Sequence, residues 1–183
     1  MKLKHWILAA LFAAMIGVLA QVTIPLPLVP ITGQTLAIGL CATILGSKLS
    51  TLAVVLYCLL GLAGAPVFAN LHAGPSVLFG PTGGYIFGFI PTAYITGIIL
   101  EKTSFRLPQA LLANTAGMFI PLATGTVWLK WAADLEWDEA LLSGFVPFLL
   151  PGILKAAIAA WLGIEVRKRL IQAKVLEETG AQG

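Results

Sequence analysis

The chain has 183 residues, of which 58% are hydrophobic and only 10% charged, and its mean hydropathy is +0.94. Soluble domains usually contain about 25% charged residues, so a soluble catalytic domain is excluded. The net charge of +3 does not indicate nucleic-acid binding, because the charges fall in short clusters between apolar stretches, as membrane flanks do.

Six apolar stretches predict an all-α integral membrane protein. Backbone groups in hydrocarbon must hydrogen-bond within their own segment, so each stretch is interpreted as a transmembrane helix. A bilayer core of about 30 Å needs roughly 20 apolar residues per helix, so residues 1–183 form one membrane domain, a six-helix bundle. The stretches are residues 6–20, 34–46, 50–64, 83–100, 108–129 and 142–164, of which the second and third are short for a span.

The first stretch has two interpretations. Lys2 and Lys4, followed by an apolar run and small residues before Gln21, fit a cleavable signal peptide. The small residues also recur at helical spacing, which favours a retained helix packed closely against a neighbour. These residues are Ala9, Ala10, Ala13, Ala14 and Gly17.

The connecting segments predict the orientation. With six crossings, the N-terminus, the second and fourth connections and the tail at 165–183 share one side, and all of them are basic. The other side receives residues 21–33 and 65–82, which carry no charge, and 130–139, where acidic residues outnumber basic ones. The positive-inside rule therefore places both termini and the basic tail in the cytoplasm of a multi-pass plasma-membrane protein.

The two uncharged outer loops, 21–33 and 65–82, are rich in proline and glycine. Loops this apolar are expected to fold back onto the bundle as a lid or wall over a ligand cavity. The alternative is that they are short connectors at the level of the lipid headgroups.

Enzyme signatures are missing. The two histidines and two cysteines have no metal-ligand spacing, so we expect neither an enzyme nor a metal or other cofactor. The run Gly80-Pro81-Thr82-Gly83-Gly84 lacks the ending of a phosphate-binding loop. We interpret Gly83 and Gly84 as part of a sharp turn that lets a ligand approach the backbone, the alternative being a tight turn without a ligand.

Lys155 is the informative residue, because it lies inside the sixth stretch. Its position is about 18 Å from the cytoplasmic boundary, in the outer half of the bilayer core. No acidic residue lies in the six stretches to neutralise it, and an unpaired ammonium there costs about 2.5 kcal/mol or more. Lys155 therefore either extends outward to the headgroups or faces an outward cavity, where it binds a polar or anionic ligand.

Other side chains near the predicted outer side are candidate ligand contacts, although each of them also fits packing or an interfacial belt. Hydrogen-bonding candidates are Gln34, Asn70, His72, Thr82, Tyr85 and Asn114, and aromatic candidates are Phe68, Phe79, Tyr85 and Phe148. Asn114 lies within a span and has the alternative role of bridging two helices.

Several of these segments together resemble one family. Gly80-Pro81-Thr82-Gly83-Gly84-Tyr85, followed by Gly88-Phe89, is similar to the signature of the BioY family. Residues 29–36 and 61–68 resemble that family's entries to the second helix and the third loop. The similarity runs in order from residue 10 to 89 and returns more weakly at 147–160.

The resemblance implies a high-affinity biotin-binding subunit, the S-component of an energy-coupling factor (ECF) transporter for vitamin uptake. Such subunits have six helices and bind the vitamin from outside. They associate with a membrane coupling subunit and two ATPases, so ATP is used by the partners and not by this chain. The family's first helix carries small residues four apart where the coupling subunit docks, and Ala9 with Ala13 and Ala10 with Ala14 match that pattern.

The family's binding residues carry over unevenly. The sixth-helix lysine matches Lys155, but Gly152 occupies the place three positions earlier where the family often has an acid. The asparagine expected in the third outer loop aligns with His72, and Asn70 lies two positions away. These departures keep open an S-component or solo transporter for another small anionic vitamin or a biotin analogue.

Overall fold

The computed structural model describes residues 3–176 as a bundle of helices. A short antiparallel hairpin, β1 (Thr23–Ile24) with β2 (Ile31–Thr32), lies between the first two helices, and a 3-10 turn spans Ala69–Leu71. The helices are α1 (Leu3–Ala20), α2 (Gln34–Leu45), α3 (Ser47–Leu62), α4 (Pro75–Phe79), α5 (Gly83–Lys102), α6 (Leu107–Ala132), α7 (Trp137–Gly144) and α8 (Val146–Gln172).

The six predicted stretches correspond to α1, α2, α3, α5, α6 and α8, which confirms the all-helical class. Four helical segments in the described part of the chain have the length and apolar composition needed to cross a membrane. They are Leu3–Ala20, Gly83–Lys102, Leu107–Ala132 and Trp137–Gln172, whereas α2 and α3 are shorter apolar helices. Six crossings therefore stay a prediction.

The last stretch differs most from its predicted bounds. The structure has two helices, α7 and α8, where one helix was predicted over 142–164, and α8 continues to Gln172. The predicted tail at 165–183 thus begins as helix, and its last seven residues, 177–183, lie outside the described residues. Hydropathy marks where apolar character ends, whereas the charged residues that follow are good helix formers.

Helix α2 lies at the centre of the bundle. Nearly all of its residues are buried, and it packs against α1, α3, α5 and α8. A helix that is apolar on every side is typical of a buried position. The short length of α2 is therefore consistent with enclosure by other helices.

Glycines let the central helices approach one another closely. A Cβ on Gly163 of α8 would lie 2.7 Å from the Cβ of Thr43 in α2, and one on Gly97 of α5 would collide with the backbone of Ser47. Small residues at such crossings maximise van der Waals contact between helices in lipid. This packing brings α2, α5, α6 and α8 together around the cavity described below.

A polar cluster joins the helices at the end of the bundle formed by the α2–α3 turn. Arg167 of α8 is buried, donates to the carbonyl oxygen of Ile44 at 2.5 Å, and lies 3.6 Å from the ring centroid of Phe105. Glu101, which interacts electrostatically with Arg167, accepts hydrogen bonds from the backbone N–H and the hydroxyl of Ser47, both at 2.7 Å. The cluster fixes the α2–α3 turn to α5 and α8.

Candidate functional site

A cavity of about 540 Å³ lies at the other end of the bundle, a volume suited to a small organic molecule. Its walls come from α2, α5, α6 and α8, and its rim comes from two segments that we call the α1–α2 loop (residues 21–33) and the α3–α4 loop (residues 63–74). Both predicted outer loops thus contribute to the cavity. The predicted candidates among its lining residues are Gln34, Phe68, Asn70, His72, Thr82, Tyr85, Asn114, Phe148, Gly152 and Lys155.

Lys155 lies in the cavity wall rather than extending to the headgroups. Its Nζ donates to the backbone carbonyl oxygen of Thr32, at 2.6 Å, in the α1–α2 loop. Within residues 3–176, no acidic side chain forms a salt bridge with this ammonium. An ammonium has three hydrogens to donate, so two remain for a ligand beside the one used by Thr32.

Gln34 is held in a buried hydrogen-bond chain at the start of α2. Its Nε2 donates to the hydroxyl of Tyr57 at 2.5 Å, and its Oε1 accepts from the hydroxyl of Thr32 at 2.7 Å. These hydrogen bonds join α3, α2 and the α1–α2 loop on the side of the cavity next to Lys155. They hold the backbone of Thr32, whose carbonyl oxygen accepts a hydrogen bond from the Lys155 ammonium.

Asn70 and His72 lie at the rim, on the exposed part of the α3–α4 loop. The Oδ1 of Asn70 accepts a hydrogen bond from the hydroxyl of Thr23 at 3.2 Å, which connects the two rim loops. The base of the loop is anchored by Phe68, which is 1% exposed and contacts Tyr57 edge to face at 5.6 Å. Both predicted rim residues are thus close to the cavity.

The prediction for Gly83 and Gly84 needs correction, because neither residue lines the cavity. A Cβ on Gly84 would lie 2.7 Å from the Trp128 ring and 2.7 Å from the carbonyl oxygen of Thr124. The indole N–H of Trp128 donates to the carbonyl oxygen of Gly80 at 2.9 Å. Gly84 therefore allows α5 to pack against α6, whereas a Cβ on Gly83 would collide with the backbone carbonyl of Leu78 in α4. Neither glycine exposes backbone to a ligand in the cavity.

Tyr85 contributes a ring to the cavity wall, while its hydroxyl is used elsewhere. The hydroxyl donates to the carbonyl oxygen of Gly144 at 2.7 Å, and the ring lies 6.0 Å from that of Phe148. Of the other predicted aromatic contacts, Phe68 lines the cavity and Phe79 does not. Asn114 both lines the cavity and bridges helices, since its Nδ2 donates to the Thr43 hydroxyl at 2.8 Å.

Gly152 lines the cavity one turn before Lys155. A Cβ at this position would lie 3.1 Å from the sulfur of Met118, so the methionine occupies the space that a larger side chain would need. Met118, Thr92 and Thr96 also line the cavity, although sequence reasoning did not select them. The two threonines, four residues apart on one face of an apolar helix, were the available signal.

The alanines of α1 divide between two faces. Ala9 and Ala13 are buried, at 0% and 2% exposure, within the hydrophobic clusters of the bundle, whereas Ala10 and Ala14 are not covered by the rest of the chain. The prediction that all four form a partner surface is therefore wrong for Ala9 and Ala13. Consecutive helical positions are about 100° apart, so one pair faces inward and the other outward.

A bundle of apolar helices with a ligand-sized cavity at one end and a cation in its wall defines a multi-pass membrane protein for binding or transport of a small molecule. Comparison with known proteins narrows this class. The BioY family matches residues 1–172, and the chain belongs to that family. This confirms the resemblance drawn from the sequence motifs.

Three relatives illustrate the match. The chain is 39% identical to the biotin transporter BioY2 of Lactococcus lactis subsp. cremoris, over 92% of this chain and 93% of that protein. It is 41% identical to the biotin transporter BioY of Thermotoga maritima, over 91% and 97%. A crystal structure of the S-component for biotin from an ECF-type ABC transporter superposes with a TM-score of 0.82 at 26% identity, covering 90% of this chain and 91% of that one.

Proposed function

We propose that the chain is the biotin-binding S-component of an ECF-type vitamin uptake transporter, and not an enzyme. The observation that carries the proposal is an ammonium in the wall of a ligand-sized cavity, in a chain whose relatives are named biotin transporters. The protein would cross the plasma membrane six times with both termini in the cytoplasm, as the distribution of basic residues indicates.

The cavity offers polar groups for the oxygens of biotin and apolar groups for its ring system. The two remaining hydrogens of the Lys155 ammonium would be donated to ligand oxygens, either the carboxylate or the ureido carbonyl. Gln34 and the rim residues Asn70 and His72 supply further polar groups. The aromatic rings of Tyr85, Phe68 and Phe148 also line the cavity and would pack against the ring system of biotin. Gly152 would leave room for the ligand or for movement of Met118, without a direct polar contact.

The exposed face of α1 is the proposed contact with the membrane coupling subunit, which would act together with two ATPases. Ala10 and Ala14 present bare backbone one turn apart on this face. Small residues let two helix backbones approach closely, which increases the van der Waals packing that associates helices in lipid. The ATPases would supply the energy, with the chain contributing the binding site.

Equilibrium binding of biotin to the purified full-length protein in detergent tests the proposal. We expect a dissociation constant below about 1 μM, corresponding to about −8.2 kcal/mol. Weaker binding would refute it. A competition panel of small anionic vitamins and biotin analogues tests the alternative that Gly152, in place of an acid, shifts the choice of ligand.

A further inference from the structure

Gln21, the first residue after α1, hydrogen-bonds the α3–α4 loop through both ends of its side-chain amide. Its Nε2 donates to the carbonyl oxygens of Phe68 at 3.0 Å and, more weakly, Val67 at 3.4 Å, as well as to Gly17 within its own helix at 3.0 Å. Its Oε1 accepts from the backbone N–H of Leu71 at 2.9 Å. One side chain thus joins the end of α1 to both the base and the tip of the loop.

The tip of this loop has a conformation that needs external support. Asn70 and Leu71 both have φ of 57°, in the left-handed region. Asparagine tolerates this region, but a leucine there is strained. The Leu71 side chain is 66% exposed and cannot supply the compensating packing. Strained backbone persists only where its surroundings determine it, and the bond to Gln21 is made directly at the strained residue.

The base of the loop is fixed independently of Gln21. Phe68 is buried against Tyr57, and the backbone N–H of Gly74 donates to the carbonyl oxygen of Gly61 at 2.8 Å. Within residues 3–176, the tip has one further side-chain contact, from the Thr23 hydroxyl to Asn70. Backbone hydrogen bonds from Phe68 N–H to the carbonyl oxygen of His72, at 3.1 Å, and from His72 N–H to that of Ala69, at 3.3 Å, tie His72 to the base. Loss of the Gln21 contacts would therefore release Asn70 and Leu71 and leave the base in place.

We propose that Gln21 is a positioning residue that holds the tip of the loop, and with it Asn70, over the mouth of the cavity and so retains the ligand. The inference rests on the proposed function and deepens it by naming the group that keeps the rim loop in its binding conformation. Gln21 itself does not line the cavity. Its effect on binding is exerted through the loop.

The test uses Gln21→Met, which keeps the length of the side chain and removes its hydrogen bonds. We expect the dissociation rate of biotin from the purified full-length protein to rise about tenfold, the effect of losing one or two hydrogen bonds. The matched control is Gln109→Met, the same change in α6 at a residue that does not line the cavity, with no expected effect. Unchanged dissociation in Gln21→Met, or a lowered melting temperature as its only effect, would overturn the proposal.

A double-mutant cycle separates positioning from a general structural role. Asn70→Gly removes the rim side chain and tolerates the left-handed backbone. If Gln21 acts by placing Asn70, Gln21→Met weakens binding much less in the Asn70→Gly background than in the parent. Equal losses in both backgrounds would contradict the proposal.

Hydrogen exchange of the ligand-free protein gives a readout that does not need biotin. The Leu71 amide should exchange about tenfold faster in Gln21→Met, because its hydrogen-bond acceptor, the Oε1 of Gln21, is lost. Its exchange rate should be unchanged in Gln109→Met. Unchanged exchange would refute the positioning role. Failure of the parent to bind biotin would refute the proposed function while this measurement still decides the role of Gln21.

Discussion

Replacing Lys155 with methionine removes the ammonium but keeps most of the side-chain stem. One ammonium hydrogen is donated to Thr32, which leaves two for the ligand. A hydrogen bond to a charged group contributes about 1.5–3 kcal/mol. Loss of one such bond therefore weakens biotin binding by between about tenfold and 150-fold. The variant should fold, because the unneutralised charge it removes is itself costly in a membrane protein.

Isothermal titration calorimetry with biotin and with biotin methyl ester measures this loss and identifies the contacting end of the ligand. If Lys155 binds the carboxylate, the parent prefers the acid over the ester and Lys155→Met does not discriminate. If it binds the ureido oxygen, the variant loses the same factor for both compounds. If the affinity of Lys155→Met for biotin lies within about threefold of the parent's, the ammonium does not contact the ligand. A threefold change is smaller than the loss of one hydrogen bond to a charged group.

The control must account for the second role of Lys155, which is to hold the α1–α2 loop. Thr32→Val removes the hydroxyl that Gln34 accepts from, but keeps the backbone carbonyl that accepts from Lys155. We expect only a small loss of affinity in this variant. A loss as large as that of Lys155→Met would assign the effect to the loop and contradict direct contact with the ligand.

Three further predictions concern packing and partner contact. Gly84→Ala should lower the melting temperature by about 2–12 °C, because the added methyl group overlaps the Trp128 side chain and overpacking costs about 1–3 kcal/mol. An unchanged melting temperature would show that the α5–α6 contact is loose. Ala14→Trp should abolish co-purification with the coupling subunit without changing biotin affinity, whereas Leu154→Trp, on an exposed face of α8, should retain the subunit. Arg167→Met should reduce the yield of folded protein in detergent, measured by size-exclusion chromatography, since it leaves buried polar partners unsatisfied at a cost of about 3–5 kcal/mol; a normal yield would mean that the cluster adds little to stability.

The main helices could be predicted from the sequence because a bilayer admits few other structures. An apolar stretch in hydrocarbon must satisfy its own backbone, and this fixes helical structure before any packing is known. The hairpin, the 3-10 turn and α4 could not be predicted in the same way. They are short, rich in proline and glycine, and stabilised by contacts with α1, α3 and α5 that only the folded chain provides.

The site could be predicted in part, and the failures have a common cause. Lys155 was recognisable because a charge without a neutralising partner in an apolar stretch is costly unless it contacts water or a ligand. Gly83 and Gly84 were misinterpreted because the absence of a side chain serves ligand approach and helix packing equally well, and the sequence does not show which neighbour fills the space. Gln21 gave no signal, since a single glutamine at a helix end is typical of many surfaces.

The two ends of the bundle differ in how their contacts can be broken. At the α2–α3 end, buried Arg167 and half-buried Glu101 join α2, α3, α5 and α8 through charged hydrogen bonds, so separation would leave these charges without their partners. At the cavity end, the rim loops are joined by neutral contacts of partly exposed groups, such as Thr23 with Asn70 and Gln21 with Leu71. Each of these contributes about 0.5–1.5 kcal/mol and can be replaced by water. The α1–α2 loop is also held by the charged hydrogen bond from Lys155 to the carbonyl oxygen of Thr32. The cavity should therefore open by movement of the α3–α4 loop, with the opposite end remaining closed.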